Sequence, residues 1–271
     1  MFVTIITDCS DPNALGRSMT RAASLFGFPP IPMAIENDFE SLSDLEAGGH
    51  LIDILDASQG NEGVVLVNKA PRSGKAKKWP NGTPFGYFWY NKTLVVSSVD
   101  GYALSLVKKF GLTTEVNVFD IPSVMEFVSK KGYLTQEQAD YVVTTQFRSY
   151  EFLPRVAKWI FDGKEIPSVI MPISEVPDAP DAVWFSDVFG NLKTTLLSGD
   201  VEFEAGKTID LENIGQVVCY DRLKDLPNGQ PGLIIGSSGM LNRRFLEIMV
   251  QGQSAKSKYM TSVGHGLKVI K

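Results

Sequence analysis

The chain has 271 residues, of which 44% are hydrophobic and 21% charged, and its formal net charge is −5. This balance is typical of a soluble globular protein with one large domain or two modest ones. It argues against a nucleic-acid-binding protein, in which an excess of basic residues is expected. The cysteines Cys9 and Cys219 and the histidines His50 and His265 are too scattered for a disulfide framework or a zinc site, so we predict no metal.

The first residues, "MFVTIITDCSD", have no basic region, long apolar stretch or cleavage site of an export signal. No run of 18 apolar residues follows, as a membrane span would require. We therefore expect a cytoplasmic protein without a membrane segment.

The first part of the chain alternates predicted strands and helices. The strand-like runs are "FVTIIT", "GVVLVN", "GYFWYN" and "TLVVSS", the last two joined by an Asn-Lys turn. The helical runs are "DPNALGRSMTRAASLFG", "SLSDLEAGGHLIDILDAS", "GYALSLVKKFG", "VMEFVSKKGYLTQEQADYVVTTQF" and "EFLPRVAKWIFDG". Gly27 is a candidate C-cap and Gly48–Gly49 a candidate helix break. The alternation predicts an α/β fold, with a largely parallel sheet in an N-terminal domain over residues 1–172.

The composition changes at "EIPSVIMPISEVPDAPDA", whose four prolines favour a linker over a helix or a central strand. Beyond it, short strands are predicted at "AVWFSD", "LKTTLL", "VEFEAG", "QVVCYDRL", "GLIIGS" and "GHGLKVI". One segment, "NRRFLEIMVQGQSA", has a helical pattern. We predict a smaller, β-rich C-terminal domain over residues 180–271.

The first strand is followed by "TDCSDPN" and not by the Gly-x-Gly-x-x-Gly of a dinucleotide site. Asp8 has two interpretations. It is an N-cap or turn residue before the first helix, or it is a carboxylate at the carboxyl end of the strand, where open α/β sheets bind ligands. In the second case it would accept both hydroxyls of a ribose.

The segment "APRSGKAKKW" lacks the spacing of a P-loop. It is interpreted as a solvated basic loop or as a loop that binds an anionic ligand. Its region carries Lys69, Arg72, Lys75, Lys77 and Lys78.

Two further turns admit a structural and a functional interpretation. "GSSG" is a tight glycine turn, or a nest of N–H groups and the hydroxyls of Ser237 and Ser238 for a carboxylate. "SDVFGN" is a β-turn with a buried Phe, or a ligand site. In a ligand site Asp187 would hold an ammonium, while the Phe189 ring and the Asn191 amide would hold a purine.

Together these segments resemble the S-adenosylmethionine hydroxide adenosyltransferase family, which includes the fluorinase and chlorinase enzymes. "ITD" is similar to the family's [ST]-D after the first strand, and "SDVFGNLKTTL" is similar to its D-x-F-G-N-x-x-T-N signature. "GSSG" followed by "LEIMVQGQSA" resembles its [GN]-S-x-G ending. The order and spacing of these parts agree over nearly the whole chain, as does the plan of an α/β domain followed by a β domain.

The resemblance implies a homotrimer that binds S-adenosylmethionine between the N-domain of one subunit and the C-domain of the next. Water or a halide attacks the 5′ carbon and expels methionine, without a metal. By matched position Asp8 would hold the ribose hydroxyls, and Phe189 and Asn191 would hold the adenine. Asp11, in the loop after Asp8, is also expected to bind the substrate. The methionine end would be held by Asp187, Ser237 and Ser238.

The family's water-activating residues have no match here. Ala70 stands in place of the Asp of Asp-Pro-Gly-Val-Gly, and "QFRSYE" contains no His. The loop is closer to that of the halide-using members, with Ser73 at their Thr and Ser149 near their Ser. We therefore predict Ser73, Ser149 and Arg148 around the nucleophile, while Arg72 either adds positive charge or blocks the pocket. The alternative is a non-catalytic protein that binds an adenosyl ligand. RNA or anion binding through the basic loop is the weakest interpretation.

Overall fold

The computed structural model of the chain describes residues 1–35, 42–69 and 83–270. Within these residues the strands form two seven-stranded sheets, with helices packed against the first. The mixed α/β content agrees with the sequence prediction. Ala70, Arg72, Ser73, Lys75, Lys77 and Lys78 lie outside the described residues.

The first sheet is built from the N-terminal part of the chain. Its strands are β1 (Phe2–Thr7), β2 (Ile31–Ala34), β3 (Gly63–Asn68), β4 (Phe85–Tyr90), β5 (Thr93–Ser98), β6 (Glu115–Val118) and β7 (Val169–Pro172). They are ordered β2-β1-β3-β5-β4-β6-β7. Strands β2, β1, β3 and β5 run parallel, whereas β4, β6 and β7 pair antiparallel with their neighbours. The predicted parallel arrangement therefore holds for one half of this sheet.

The described residues contain eight α-helices. They are α1 (Pro12–Phe26), α2 (Ser43–Ser58), α3 (Ser105–Phe110), α4 (Ile121–Lys130), α5 (Gln136–Thr144), α6 (Arg148–Glu151), α7 (Leu153–Phe161) and α8 (Ala255–Tyr259). Gly27 ends α1 in the left-handed conformation, as predicted. The long helical segment before α6 is two helices, because Thr135 opens α5 with a capping box. The predicted break in α2 is wrong, since that helix is continuous through Gly48 and Gly49.

The second sheet contains the strands that follow the proline-rich segment. They are β8 (Val183–Ser186), β9 (Leu192–Leu197), β10 (Thr208–Leu211), β11 (Gly215–Tyr220), β12 (Pro231–Met240), β13 (Arg243–Val250) and β14 (Val269–Ile270). Their order is β14-β10-β11-β12-β13-β9-β8, and only β11 and β12 pair in parallel. The short strands β2, β6 and β10 were not predicted, and β7 lies at a sheet edge inside the proline-rich segment.

Three predictions for this part of the chain are wrong. The expected helix in "NRRFLEIMVQGQSA" is strand β13, whose pairing with β12 and β9 overrides the helix propensity of its Leu, Glu and Met residues. The expected "GSSG" turn lies inside β12, which passes through it with a register shift between Ile235 and Gly239. The expected strand in "VEFEAG" is a turn, in which Glu202 has a φ of 50°.

The core is arranged in layers around α2. Helices α1, α4, α5 and α7 cover one face of the first sheet. On the other face α2 packs against β1 and β3 and also contacts β8 and β12 of the second sheet. Trp184 and Phe245 of the second sheet therefore share a buried cluster with residues of the first. The division into domains at residues 172 and 180 stays a prediction.

Candidate functional site

The carboxyl ends of the parallel strands bring several polar residues together. Asp8 follows β1, Lys69 follows β3, and Ser98 ends β5. The Asp8 N–H donates to the Asn68 carbonyl oxygen over 3.3 Å, and the Lys69 N–H donates to Ser98 Oγ over 2.9 Å. This is the edge of the sheet at which open α/β folds bind ligands.

Lys69 is an interior residue of this edge. Its Nζ lies 3.4 Å from Asp8 Oδ2, and the two side chains are only 1% and 2% exposed. The interpretation of Lys69 as part of a solvated basic loop is therefore wrong. Sequence reasoning missed it, although its position directly after the apolar run "GVVLVN" places it at the same sheet edge as Asp8.

Two more carboxylates lie at this edge. Asp44, in the first turn of α2, accepts the Tyr102 N–H over 2.6 Å. Burial raises the pKa of the Asp44 carboxyl, and the Tyr102 N–H and the charge of Lys69 offset part of that rise. Asp100 has one buried carboxylate oxygen without a hydrogen-bond partner among the described residues. The described part of this edge thus carries the carboxylates Asp8, Asp44 and Asp100, with Lys69 beside the first and acting on the charge of the second.

The two aspartates of the loop after β1 have different roles. Asp11, and not Asp8, is the N-cap of α1, since its Oδ1 accepts the N–H groups of Asn13 and Ala14 at 3.0 Å each. The N-cap interpretation of Asp8 is wrong. Its buried carboxylate is instead held beside Lys69.

The signature segment forms a rigid turn between β8 and β9. Asp187 Oδ1 accepts the N–H groups of Phe189 and Asn191, each at 2.9 Å, and its Oδ2 accepts Asn191 Nδ2 at 2.8 Å. Gly190 has a φ of 81° and packs against Ser254, where a Cβ would meet Ser254 Oγ at 2.1 Å. The Phe189 ring is 76% exposed, so the interpretation as a turn with a buried Phe is wrong.

We expect Asp187→Ala to lower the free energy of unfolding by about 1–2 kcal/mol, since three hydrogen bonds to a carboxylate are lost. Asp187→Asn keeps an oxygen for the two backbone N–H groups and removes the charge. If Asp187 also holds a ligand ammonium, the Asn variant should bind S-adenosylmethionine roughly ten- to hundred-fold more weakly at nearly unchanged stability. Calorimetry and thermal melts of both variants separate the two roles, and unchanged affinity would limit Asp187 to the turn.

Ser237 and Ser238 belong to a polar network between β12, β13 and α2. Lys193 Nζ lies 2.6 Å from Ser238 Oγ, 3.4 Å from Ser237 Oγ and 3.1 Å from Glu247 Oε1. The nest-like N–H groups already have carboxylate partners within the chain. The Ser237 N–H donates to Glu247 over 3.2 Å, and the Gly239 N–H donates to Asp53 over 2.8 Å.

Asp53 of α2 completes this network. Burial raises the pKa of its carboxyl, while hydrogen bonds from the Gly239 N–H and Ser238 and the charge of Lys193 offset part of the rise. The Ser238 hydroxyl is therefore buried and engaged, whereas the Ser237 side chain is exposed. Of the two predicted serines, Ser237 is the one open to solvent.

Arg148 and Ser149 lie in the short helix α6. Burial alone lowers the pKa of the Arg148 guanidinium, which remains charged at neutral pH. No hydrogen bond or ion pair joins the Arg148 side chain to another described residue. The preceding Phe147 is 56% exposed. This segment therefore offers a half-buried positive charge next to an open aromatic ring.

The predicted site residues form two groups in one chain. Asp8 belongs to the edge of the first sheet, whereas Asp187, Phe189, Asn191 and the two serines belong to the second sheet. Within the described residues no hydrogen bond or ion pair joins these groups. The same residues contain no group of three or more His, Cys, Asp or Glu placed to hold a metal ion. None of their helices is long and apolar enough to cross a membrane.

Neither a family model nor a curated protein sequence matches this chain. Several solved structures are similar to it, including the following two. An uncharacterized conserved protein from Thermotoga maritima is 14% identical, with a TM-score of 0.67 over 99% of this chain and 100% of that one. A conserved hypothetical protein from Thermus thermophilus is 15% identical, with a TM-score of 0.59 over 99% of each chain. At this identity the likeness shows a shared fold.

Proposed function

We propose that the chain binds S-adenosylmethionine and cleaves it at the 5′ carbon by nucleophilic substitution, releasing methionine. The observation that carries the proposal is the β8–β9 turn. The residues that resemble the family signature form one hydrogen-bonded unit, and this unit presents the Phe189 ring to solvent. An exposed aromatic face on a rigid turn is suited to stacking against a purine.

The proposed reaction needs little acid–base chemistry. The nucleophile, water or a halide, forms a bond to C5′ while the C5′–S bond breaks and its electron pair goes to the sulfonium sulfur. The leaving group is neutral at sulfur and needs no proton. An attacking halide has no proton to lose, whereas an attacking water releases one to the solvent. The protein has to align the nucleophile with the C5′–S bond and strip the nucleophile of its hydration shell. The half-buried Arg148 guanidinium is suited to attracting an anion, which favours a halide.

A homotrimer is part of the proposal, because one chain holds the two groups of site residues in different sheets. Val188 and Phe189 are 94% and 76% exposed, an unusual position for two apolar side chains on one turn. A neighbouring subunit would cover this turn and bring it to the edge that carries Asp8. Light scattering at a protein concentration well above micromolar measures the oligomeric state, and a monomer would count against the homotrimer.

A second candidate is a non-catalytic protein that binds an adenosyl ligand. It is favoured by the sequence, which has Ala70 where the resembled family has its water-activating Asp and no His in "QFRSYE".

We expect S-adenosylmethionine to yield methionine and a halogenated nucleoside with chloride, bromide or iodide, and little adenosine with water alone. Arg148→Met should slow halide-dependent turnover roughly a hundred-fold, since it removes a charged donor from a partly desolvated site. Arg222→Met, which changes a fully exposed arginine paired with Asp225, is the matched control. Chromatography with mass detection identifies the nucleoside.

Each outcome of this assay separates the candidates. Brisk adenosine formation without halide would show that the missing Asp and His are not needed. Binding without any product would favour the non-catalytic protein. Absence of binding by S-adenosylmethionine and by adenosine would refute both candidates.

A further inference from the structure

The outer face of α1 forms one wall of a cleft of about 620 Å³, with α5 and α6 opposite. The proposed reaction makes no use of this cleft. Its walls carry Gly16, Arg17 and Arg21 from α1, Tyr141 from α5, and Tyr150 and Glu151 from α6.

The cleft has more positive than negative charge. Glu151 is the acidic residue among those lining the cleft, and it pairs with Arg21 over 2.7 Å and also with Arg155. Burial would raise the pKa of the Glu151 carboxyl, but hydrogen bonds from Arg21 and Arg155 outweigh it and the pKa is lowered. Glu151 therefore stays ionised at neutral pH, and one carboxylate serves two guanidinium groups.

Arg17 adds a third guanidinium group. Its Cζ lies 4.3 Å from the centre of the Tyr150 ring, and it donates to the Tyr150 hydroxyl. No carboxylate of the described residues pairs with it. Among the residues that line the cleft, Arg17 and Arg21 against Glu151 leave an excess of one positive charge, in a chain whose net charge is −5. Arg155 pairs with Glu151 from outside the lining and adds positive charge behind it. A guanidinium has five N–H donors, so Arg17 retains donors for a ligand.

Gly16 lies in the wall of the cleft that α1 forms. It is inside that helix, where glycine is a poorer helix former than alanine. A Cβ at this position would have no atom within 4 Å, so packing within the described chain does not demand glycine. A missing side chain in this wall allows a ligand to approach the helix backbone closely.

We propose that this cleft binds the phosphoryl group of a small organic phosphate. A phosphate monoester carries nearly two negative charges at neutral pH, which suits a cleft whose charged side chains are net positive. The planar, multi-donor Arg17 guanidinium, fixed by the Tyr150 ring, is suited to two oxygens of such a group. The exposed Tyr141 ring on the opposite wall would contact the organic part. The proposed reaction uses Arg148 and Ser149 of the same helix α6, but none of the residues that line this cleft, so this proposal does not depend on it.

The test is titration calorimetry on the full chain with ribose 5-phosphate, inorganic phosphate and a single-stranded oligothymidylate. We expect saturable binding of ribose 5-phosphate, and weaker binding of inorganic phosphate. Arg17→Met and Gly16→Leu should each weaken it by roughly tenfold or more, the first by removing a charged donor and the second by filling the cleft. Arg222→Met, at an exposed arginine in the turn that follows β11, should leave the affinity unchanged.

Thermal melts of both variants show whether they are folded, and Gly16→Leu replaces an exposed helical glycine by a strong helix former. Absence of ribose 5-phosphate binding would overturn the proposal, as would equal affinity for wild type and both variants. If inorganic phosphate binds as tightly as ribose 5-phosphate, the proposal that the cleft recognises an organic phosphate is wrong. Binding of the oligothymidylate alone would overturn it in favour of a nucleic acid.

Discussion

We expect Lys69→Met to lower the free energy of unfolding by about 3–5 kcal/mol, the usual cost of removing one partner of a buried ion pair. The Lys69 and Asp8 side chains are 1% and 2% exposed, so water cannot replace the lost ammonium. The charge of Lys69 also acts on the buried carboxyl of Asp44, and its loss leaves two carboxylates without that compensation. Chemical denaturation monitored by fluorescence gives the change directly.

The double variant Asp8→Leu/Lys69→Met removes both charges of the ion pair, and its stability can be compared with that of the single variant. It should be more stable than the Lys69→Met protein, because the buried carboxylate that has lost the Lys69 ammonium is gone as well. Lys130→Met, at an exposed lysine paired with an exposed Glu126, is the matched control and should leave stability nearly unchanged. A Lys69→Met protein as stable as wild type would contradict the buried position of this lysine.

The same ion pair bears on the proposed function. Asp8 is positioned by Lys69 at the carboxyl end of β1, and its carboxylate is ordered before any ligand is present. A carboxylate held in this way is suited to accept two neighbouring hydroxyls. If Asp8 holds the ribose, the Asp8→Leu/Lys69→Met protein should therefore bind adenosine more weakly than the wild type.

Local signals predicted much of the fold. The apolar runs of β1, β3 and β5 were found because both faces of these strands are buried, which favours continuous hydrophobic sequence. Gly27 and Gly111 end α1 and α3 in the left-handed conformation, as their sequence positions indicate. These features depend on residues that are neighbours along the chain.

The errors arise where distant pairing decides the structure. Strand β13 has the composition of a helix, and its neighbours β12 and β9 become known only in the folded sheet. The glycines and serines of β12 look like a turn, yet Asp53 and Glu247 accept N–H groups of this segment. Neither carboxylate is adjacent to it in sequence, so the pattern alone could not assign these contacts.

The same difference between local signals and contacts of distant segments applies to the candidate site. The signature turn was located from the sequence, because Asp187, Gly190 and Asn191 determine its geometry locally. The interior position of Lys69 and the network around Lys193 depend on contacts between separate elements. The exposure of Phe189 could not be read from its composition, since an aromatic residue between two strands is usually buried.

Helix α2 connects the two groups of site residues, since it carries Asp44 toward the first sheet edge and Asp53 toward β12. Its approach to the second sheet depends on Gly49. A Cβ on Gly49 would lie 2.2 Å from a ring carbon of Trp184. Trp184 is fully buried among His50, Phe185 and Phe245, so the ring has little room to move.

We therefore expect Gly49→Ala to lower the free energy of unfolding by about 1–3 kcal/mol, although alanine is the better helix former. Gly16→Ala is the matched control, since Gly16 is also helical but has open space around its Cβ position. It should raise the free energy of unfolding by about 0.5–1 kcal/mol. Thermal melts of the two proteins should shift in opposite directions, by roughly 2–4 °C for each kcal/mol. A Gly49→Ala protein that melts with or above the Gly16→Ala protein would show that α2 does not pack against Trp184 as closely as described.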